Sequence, residues 1–480
     1  MYSSQTAGRR FGSIVSKASF LACAWSAAAI AAPPPMAMPA GQNFHVGPGG
    51  CGQEIIQGLA HSTNVLGSMC GLRPFLGQYG ISLGLTETSE LLGNATGGTH
   101  QGFDYEGLTT LVLQMDTQRA FGWYGGTLNV SGLQIHGRNL SADNLQTLQT
   151  ASGIEADRGT RLWELWYQQN FGRQDRLDIK VGQQSLDQEF MVSQNALLFV
   201  NTMFGWPMLP SADLPGGGPA YPLSALGARL RARPSDAWTI LAGVYNGSPV
   251  TNTAGDPQQQ NAHGTSFPLH GGTLAILEAQ YAYPTLGTML LADEPEPLAR
   301  VYKFGLWYDS ENFADQEFDN TGMSLANPAS SGIPQEHRGD WAVYAVADQM
   351  IWQSSIESDR TVSVFIRPMW TPLADRNQID FSVNAGLTIH EPFEHRDDDT
   401  FGLGMGYAHV SSHLVALDRT QGYPAQHGET FVEATYQYQA TPWLQLQPDL
   451  QYVFHPGAGI TTTKRVNNEL VLGLRTNIVF

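Results

Sequence analysis

The 480 residues predict an all-β chain: a transmembrane antiparallel β-barrel of about sixteen strands, with one long connection folded into its lumen as a constriction loop. Three observations point there. Segments spread over most of the chain alternate apolar and polar residues with a period of two, which is the period of strands and not of helices. The connections between them tend to alternate between short and long, the barrel pattern of periplasmic turns and extracellular loops. No apolar run reaches the length of about 18 residues that a membrane helix needs, so strands would have to make the crossing.

The chain opens as an exported protein would. Arg9, Arg10 and Lys17 form a positive n-region, Ala18 to Ala31 is uncharged and mostly apolar, and Ala29-Ile30-Ala31 supplies a small-residue cleavage site, with a second one ending at Ala40. Residues 1–32 are therefore expected to be a signal peptide. Arg9-Arg10 reads as ordinary n-region charge rather than twin-arginine export, and Phe20-Leu21-Ala22 is a poor lipoprotein flank for Cys23. Removal of the leader takes three basic residues and no acidic ones, leaving 22 basic against 43 acidic. That balance argues against nucleic acid as a partner. Residues 33–76 are expected to be an N-terminal periplasmic segment. Its Cys51 and Cys70 lie in an oxidising compartment and are expected to form a disulfide, worth about 3 kcal/mol for so short a loop.

Residues 77–480 are expected to be the outer-membrane barrel and pore. Its last strand shows the pattern best. Leu470, Leu472, Leu474, Thr476, Ile478 and Phe480 share one face, and Glu469, Val471, Gly473, Arg475 and Asn477 share the other. An apolar face for lipid, a polar face for water and an aromatic at the interface suit a barrel strand. The same alternation recurs at Leu444 to His455, at Val432 to Gln439, at Ile379 to Leu387 and at Tyr302 to Asp309. Candidate strands run over 77–88, 104–117, 121–135, 160–172, 175–185, 223–234, 236–246, 272–283, 298–311, 338–352, 358–369, 377–388, 398–409, 427–440, 442–455 and 466–480. The even count suits a bacterial barrel.

Strands four and five, six and seven, and fourteen and fifteen are joined by very short turns, such as Ala440-Thr441-Pro442. Strands five and six, seven and eight, nine and ten, and thirteen and fourteen are joined by much longer stretches. The longest runs from Leu186 to Pro222 and carries Asp187, Glu189, Phe199, Phe204 and Trp206. So long a loop is functional or disordered, and its aromatics argue against disorder. It is expected to fold inward and narrow the pore.

With apolar positions facing lipid, the opposite positions line the lumen. Arg229, Arg231 and Arg233 then point inward, as do Lys180, Lys303, Arg367 and Arg475. Carboxylates oppose them: Glu164, Asp178, Asp309, Asp380, Glu433, Asp449 and Glu469. Gln, Asn and Ser fill much of the remainder. Such a wall suits a neutral polyhydroxylated solute, because hydroxyls both donate and accept hydrogen bonds. Phe204, Trp206 and Trp307 offer aromatic faces for a sugar ring. The same charges also serve as scaffold by pairing with one another.

Catalytic and metal motifs are weak. Phosphate-loop, HExxH and GxSxG patterns do not occur, and no cofactor is implied. The run HEPFEHRDDD at 390–399 falls at a periplasmic turn, where a solvated charge run is the expectation rather than a cation site. His409 and His413 lie at a strand end, where helical ligand spacing does not apply.

On several stretches the chain resembles the carbohydrate-selective porins of the OprB type. These include GLRPFLGQYGI at 71–81, RLWELWYQQNFG at 161–172, VGQQSLDQEF at 181–190 and GDWAVYAVADQMIW at 339–352. The C-terminal ETFVEATYQYQATPWLQLQPDLQYVFHPG, with LVLGLR, is the most specific. The resemblance implies a sixteen-stranded pore in the bacterial outer membrane. Such a pore passes glucose and related sugars by passive diffusion and has no enzymatic activity. Sugars and outer-membrane lipid are then its partners, with monomer and trimer both open. Three other readings remain: a general or anion-preferring small-solute porin favoured by the Arg229–Arg231–Arg233 row, an enzyme built on a barrel, and a soluble carbohydrate-binding β-protein.

Overall fold

Residues 63–172, 174–251, 255–284, 298–354, 360–460 and 465–480 are described by a computed structural model. The expected signal peptide and Cys51 lie outside the described residues. Sixteen strands are present: β1 (Ile81–Thr96), β2 (Gly102–Asp116), β3 (Gly126–Gly137), β4 (Gly159–Phe171), β5 (Leu177–Gln184), β6 (Ala225–Ala232), β7 (Trp238–Asn246), β8 (Thr273–Tyr283), β9 (Arg300–Asp319), β10 (Pro334–Gln353), β11 (Thr361–Trp370), β12 (Ile379–His390), β13 (Thr400–Val410), β14 (Gly428–Thr441), β15 (Leu444–Phe454) and β16 (Glu469–Val479). Each pairs antiparallel with its sequence neighbours, and β1 pairs with β16 to close the barrel. Closure leaves no sheet edge and satisfies the backbone within the wall, as a lipid environment demands. No helix among the described residues is long and apolar enough to cross a membrane.

The period-two alternation sorts side chains as expected. On β9, Tyr302, Phe304, Leu306 and Tyr308 are 42, 58, 41 and 43% exposed on the outside, whereas Trp307 and Asp309 on the inside are 1% and 0% exposed. On β6, Leu230 faces out and Arg229 is buried within.

Strand boundaries differ from expectation at several places. β1 runs on to Thr96 rather than 88, and β3 begins at Gly126 rather than 121 because Thr117–Phe121 is a helix. Two further differences have clear causes. Residues 77–80 do not open the first strand, because Leu72–Gln78 is a helix and β1 begins at Ile81. The helical spacing of Leu72, Phe75, Leu76 and Tyr79 carries that signal. Gly80, at φ +70°, makes the turn into the strand, where a Cβ would lie 2.8 Å from Asp116 O. The β9–β10 hairpin also reaches further out than 311 and 338. His337 Nε2 bonds Asp315 Oδ2 at 2.8 Å across the extension.

The core lies inside the barrel rather than between sheets. The 185–224 connection enters the lumen, and its Leu186, Phe190, Met191, Phe199, Phe204 and Trp206 pack on inner-wall residues including Tyr245, Ile276, Trp307, Tyr344, Phe365 and Phe431. Each buried aromatic or aliphatic side chain is worth about 1.5–3 kcal/mol, so the loop is a packed part of the fold. The connection at 138–158, which the sequence did not single out, also packs inward. Its Leu140, Leu145 and Ala151 cluster with Leu92, Val200 and Val471.

Candidate functional site

The constriction loop is held by polar groups of the wall. Glu164 on β4 accepts from Ser185 N at 3.1 Å. Glu278 on β8 accepts from Met191 N, and from the Tyr344 hydroxyl, both at 2.8 Å. Asp348 on β10 accepts from Ser193 Oγ at 2.6 Å and Asn195 Nδ2 at 2.9 Å. Glu433 on β14 accepts from Val200 N at 2.6 Å and Asn201 N at 3.0 Å. Arg367 on β11 does the converse. It donates to the carbonyls of Met191 (2.8 Å), Phe204 (3.0 Å), Gly205 (3.1 Å) and Met203. An extended loop segment has many unpaired amides and carbonyls, and buried ones need partners. The inward charges supply them.

A second group neutralises the cations expected to line the pore. Arg229 bonds Asp178 and reaches Glu189 Oε2 at 2.5 Å. Arg231 Nε meets Asp178 Oδ2 at 2.6 Å, and Lys180 pairs with Glu189. Burial pushes the Glu189 carboxyl up, but Lys180 and Arg229 outweigh this and hold it at about 2. Asp187 sits nearby, its carboxyl raised by burial although Ser185 Oγ (2.6 Å) and Tyr221 N (3.0 Å) donate to it.

Several expected pore contacts lie elsewhere. Trp307 and Phe204 are each 1% exposed and lie outside the cavity lining, whereas Trp206, at 6% exposure, borders the cavity described below. They are the packing between loop and wall, where apolar surface is worth most. Asp309, on the inner face of β9, is fully buried and accepts from Glu311 N at 2.9 Å, so its carboxylate is taken up within the protein. Arg233 is exposed in the turn after β6, because the strand ends at Ala232. Glu433 and Asp449 are buried, Asp449 accepting from Gln451 Nε2 at 2.9 Å. Lys303 is buried on the inner face of β9. Arg475 pairs with Glu90 at 2.5 Å and donates to Val200 O at 3.3 Å. Cys70 is disulfide-bonded, while its expected partner Cys51 is outside the described residues. In the 391–399 turn, Asp399 is bound by Arg396 at 2.7 and 2.8 Å and closes the turn onto Gln439 N at 2.9 Å.

A cavity of about 350 Å³ remains between the loop and the wall formed by β1–β4 and β14–β16. On its wall side stand Thr88, Thr110, Gln437, Gln445, Gln447 and Asn477, with Arg475 beside them. They form a chain of amides and hydroxyls. Thr88 Oγ1 donates to Asn477 Oδ1 at 2.7 Å, and Asn477 Nδ2 and Gln437 Nε2 donate to Gln445 Oε1 at 3.4 and 3.3 Å. Gln445 Nε2 in turn donates to Gln439 Oε1 at 2.8 Å. The sequence places Gln437, Gln445, Gln447 and Asn477 on the polar faces of their strands but does not single out these amides as solute contacts. Its signal was present in the inward glutamines that recur along strands fourteen and fifteen.

The sequence pattern of the carbohydrate-selective porin, OprB family, matches residues 100–480. The chain belongs to this family. Porin B of Pseudomonas aeruginosa is 24% identical to this porin over 478 residues, covering 93% of this chain and 98% of the relative. The putative porin QuiX of Acinetobacter baylyi is 22% identical over 440 residues, covering 87% and 93%. Among solved structures, the high-pH structure of Pseudomonas putida OprB shares the fold at a TM-score of 0.75 and 22% identity, over 88% of this chain and 99% of that one. The relatives are channels, and this porin is likewise a channel of the bacterial outer membrane and not an enzyme. Family membership supports sugars as its permeating solutes.

Proposed function

We propose that this porin passes glucose and related monosaccharides by passive diffusion, through the passage bounded by the constriction loop and the amide-lined wall of β14–β16. The observation that carries the reading is the chemistry left over once the charges are paired. Arg229, Arg231, Lys180 and Arg475 each meet a carboxylate. The polar part of the cavity wall is then mainly neutral amide and hydroxyl, supplied by Thr88, Gln437, Gln445 and Asn477, beside apolar lining from Leu108, Leu133 and Trp163. Amides offer donor and acceptor side by side, which matches a sugar hydroxyl. The contacts are few and partly satisfied by one another, so a solute is held weakly enough to leave. The paired cations speak against the anion-preferring alternative. Leu230, Phe304 and Leu306 on the outer face would meet lipid.

The test is liposome swelling with purified protein in glucose, a disaccharide, and uncharged and anionic non-sugar solutes of similar size. Faster influx of the monosaccharide is expected. Equal rates for all solutes of one size would make this a general porin, and faster influx of the anion would favour the other alternative. In Gln445→Leu, which breaks the middle of the amide chain, the advantage of glucose over an equal-sized non-sugar should shrink. The rate for the non-sugar should stay near that of the parent. Equal loss for both solutes would show that Gln445 serves only to keep the passage open.

A further inference from the structure

We infer that two glycines on the inner face of β13, Gly402 and Gly404, set how deeply the constriction loop sits against the wall, and hence the largest solute that passes. The inference rests on the reading that solutes pass beside this loop, and not on those solutes being sugars.

The alternation places Gly402, Gly404 and Gly406 on the lumen side, whereas Leu403 and Met405 point outward at 46% and 40% exposure. A barrel wall has no general need for three small residues in a row on one face. Here each faces an aromatic ring. A Cβ on Gly404 would lie 2.6 Å from Phe204 Cζ and 2.8 Å from Phe199 Cε1. One on Gly402 would lie 2.7 Å from Leu198 Cδ2 and 2.9 Å from Phe199 Cζ. Gly406 similarly receives the ring of Phe431. All of these separations are too short for real carbon atoms, so the loop occupies space that only glycine leaves open.

The rings have nowhere else to go along the wall. Phe199 and Phe204 stack at 4.3 Å between centroids. Phe365 lies 5.7 Å from Phe199 and 5.8 Å from Phe204, and Phe431 lies 5.4 Å from Phe204. The opposite side of the same loop segment is different. Leu198, Phe199, Asn201 and Thr202 form one side of the open cavity. Any side chain added on β13 therefore drives the segment toward the passage. Any ring removed lets it settle back from the passage.

Solute exclusion reads this directly. Single channels in planar bilayers would be measured with neutral polyethylene glycols of increasing size, which need no sugar preference. Gly404→Val should lower both the conductance and the size of the largest polymer that enters, and Phe204→Ala should raise both. The double substitution should return toward the parent, because the added methyls fill the space the ring left. Met405→Leu, on the outer face, should change nothing. Folding is checked by heat-modifiable migration in detergent gels. If Gly404→Val does not fold, Phe204→Ala and Phe199→Ala still decide the matter. Unchanged exclusion in a folded Gly404→Val, or in both ring deletions, overturns the inference. Loss of glucose preference with exclusion as stated would overturn the sugar reading alone.

Discussion

Arg367→Met releases the constriction loop from β11, raises single-channel conductance and lowers the unfolding temperature of the purified barrel. The arginine is fully buried, and its guanidinium spans the carbonyls of Met191, Met203, Phe204 and Gly205 together with Asn384 Oδ1 at 3.1 Å. Only a planar group with several donors can reach so many acceptors at once. Methionine fills a similar volume and satisfies none of them. Each buried acceptor left without a donor costs about 1–3 kcal/mol, so the sum is several kcal/mol even after relaxation. Part of that loss is recovered when the loop lifts and water reaches the carbonyls, and for that reason the conductance changes with the stability. Arg367→Lys, with a single compact ammonium, should fall between the two. An unchanged melting temperature and conductance in Arg367→Met would show that the aromatic packing of Phe199 and Phe204 holds the loop without help.

Glu189→Gln turns the channel toward anions. In the parent, Glu189 and Asp178 answer Lys180, Arg229 and Arg231 within one contact network. Removal of the Glu189 charge leaves three cations against one carboxylate inside a wall of low polarisability, where uncompensated charge acts strongly. The reversal potential in a salt gradient should move toward the anion by about tenfold in permeability ratio, equivalent to about 1.4 kcal/mol. Acid should imitate the substitution. The Glu189 carboxyl is held at about 2, below the ordinary value of 4.5, by Lys180 and Arg229 acting against burial. A depressed value means that the pairing is fully present above pH 4.5 and is lost as the pH falls toward 2. Ion selectivity of the parent should therefore be flat above pH 4.5 and drift toward anions below it, whereas Glu189→Gln shows no such drift from this site. A parent whose selectivity already changes between pH 7 and 5 would assign the control to a different group.

How far the sequence was legible depends on what carried each signal. Strand identity was local: Tyr302, Phe304 and Leu306 alternate with Lys303, Gly305 and Trp307, and one side must leave water. The inward course of the 185–224 loop was legible from its length together with Phe199, Phe204 and Trp206. The helix at Leu72–Gln78 was missed because its spacing occupies only two turns and merges into the strand that follows. Site assignment went wrong wherever a long-range partner decides exposure. Trp307 faces inward as expected, yet the loop covers it. Arg229 faces inward too, yet Asp178 and Glu189 consume its charge.

The sequence by itself determined the architecture of this protein: an all-β barrel with a lipid face, a polar lumen and a loop too long and aromatic to lie idle. Period-two alternation and connection length are properties of the chain read locally, and both follow from the demand that every strand separate lipid from water. Only the tertiary structure decided which inward groups remain for a solute. Met191, Val200 and Phe204 reach Glu278, Glu433 and Arg367 across large sequence separations. Those contacts convert the charged residues from pore lining into loop anchors. The polar groups left beside the cavity are chiefly amides and hydroxyls, Gln437, Gln445 and Asn477 among them, because pairing has neutralised most of the charges.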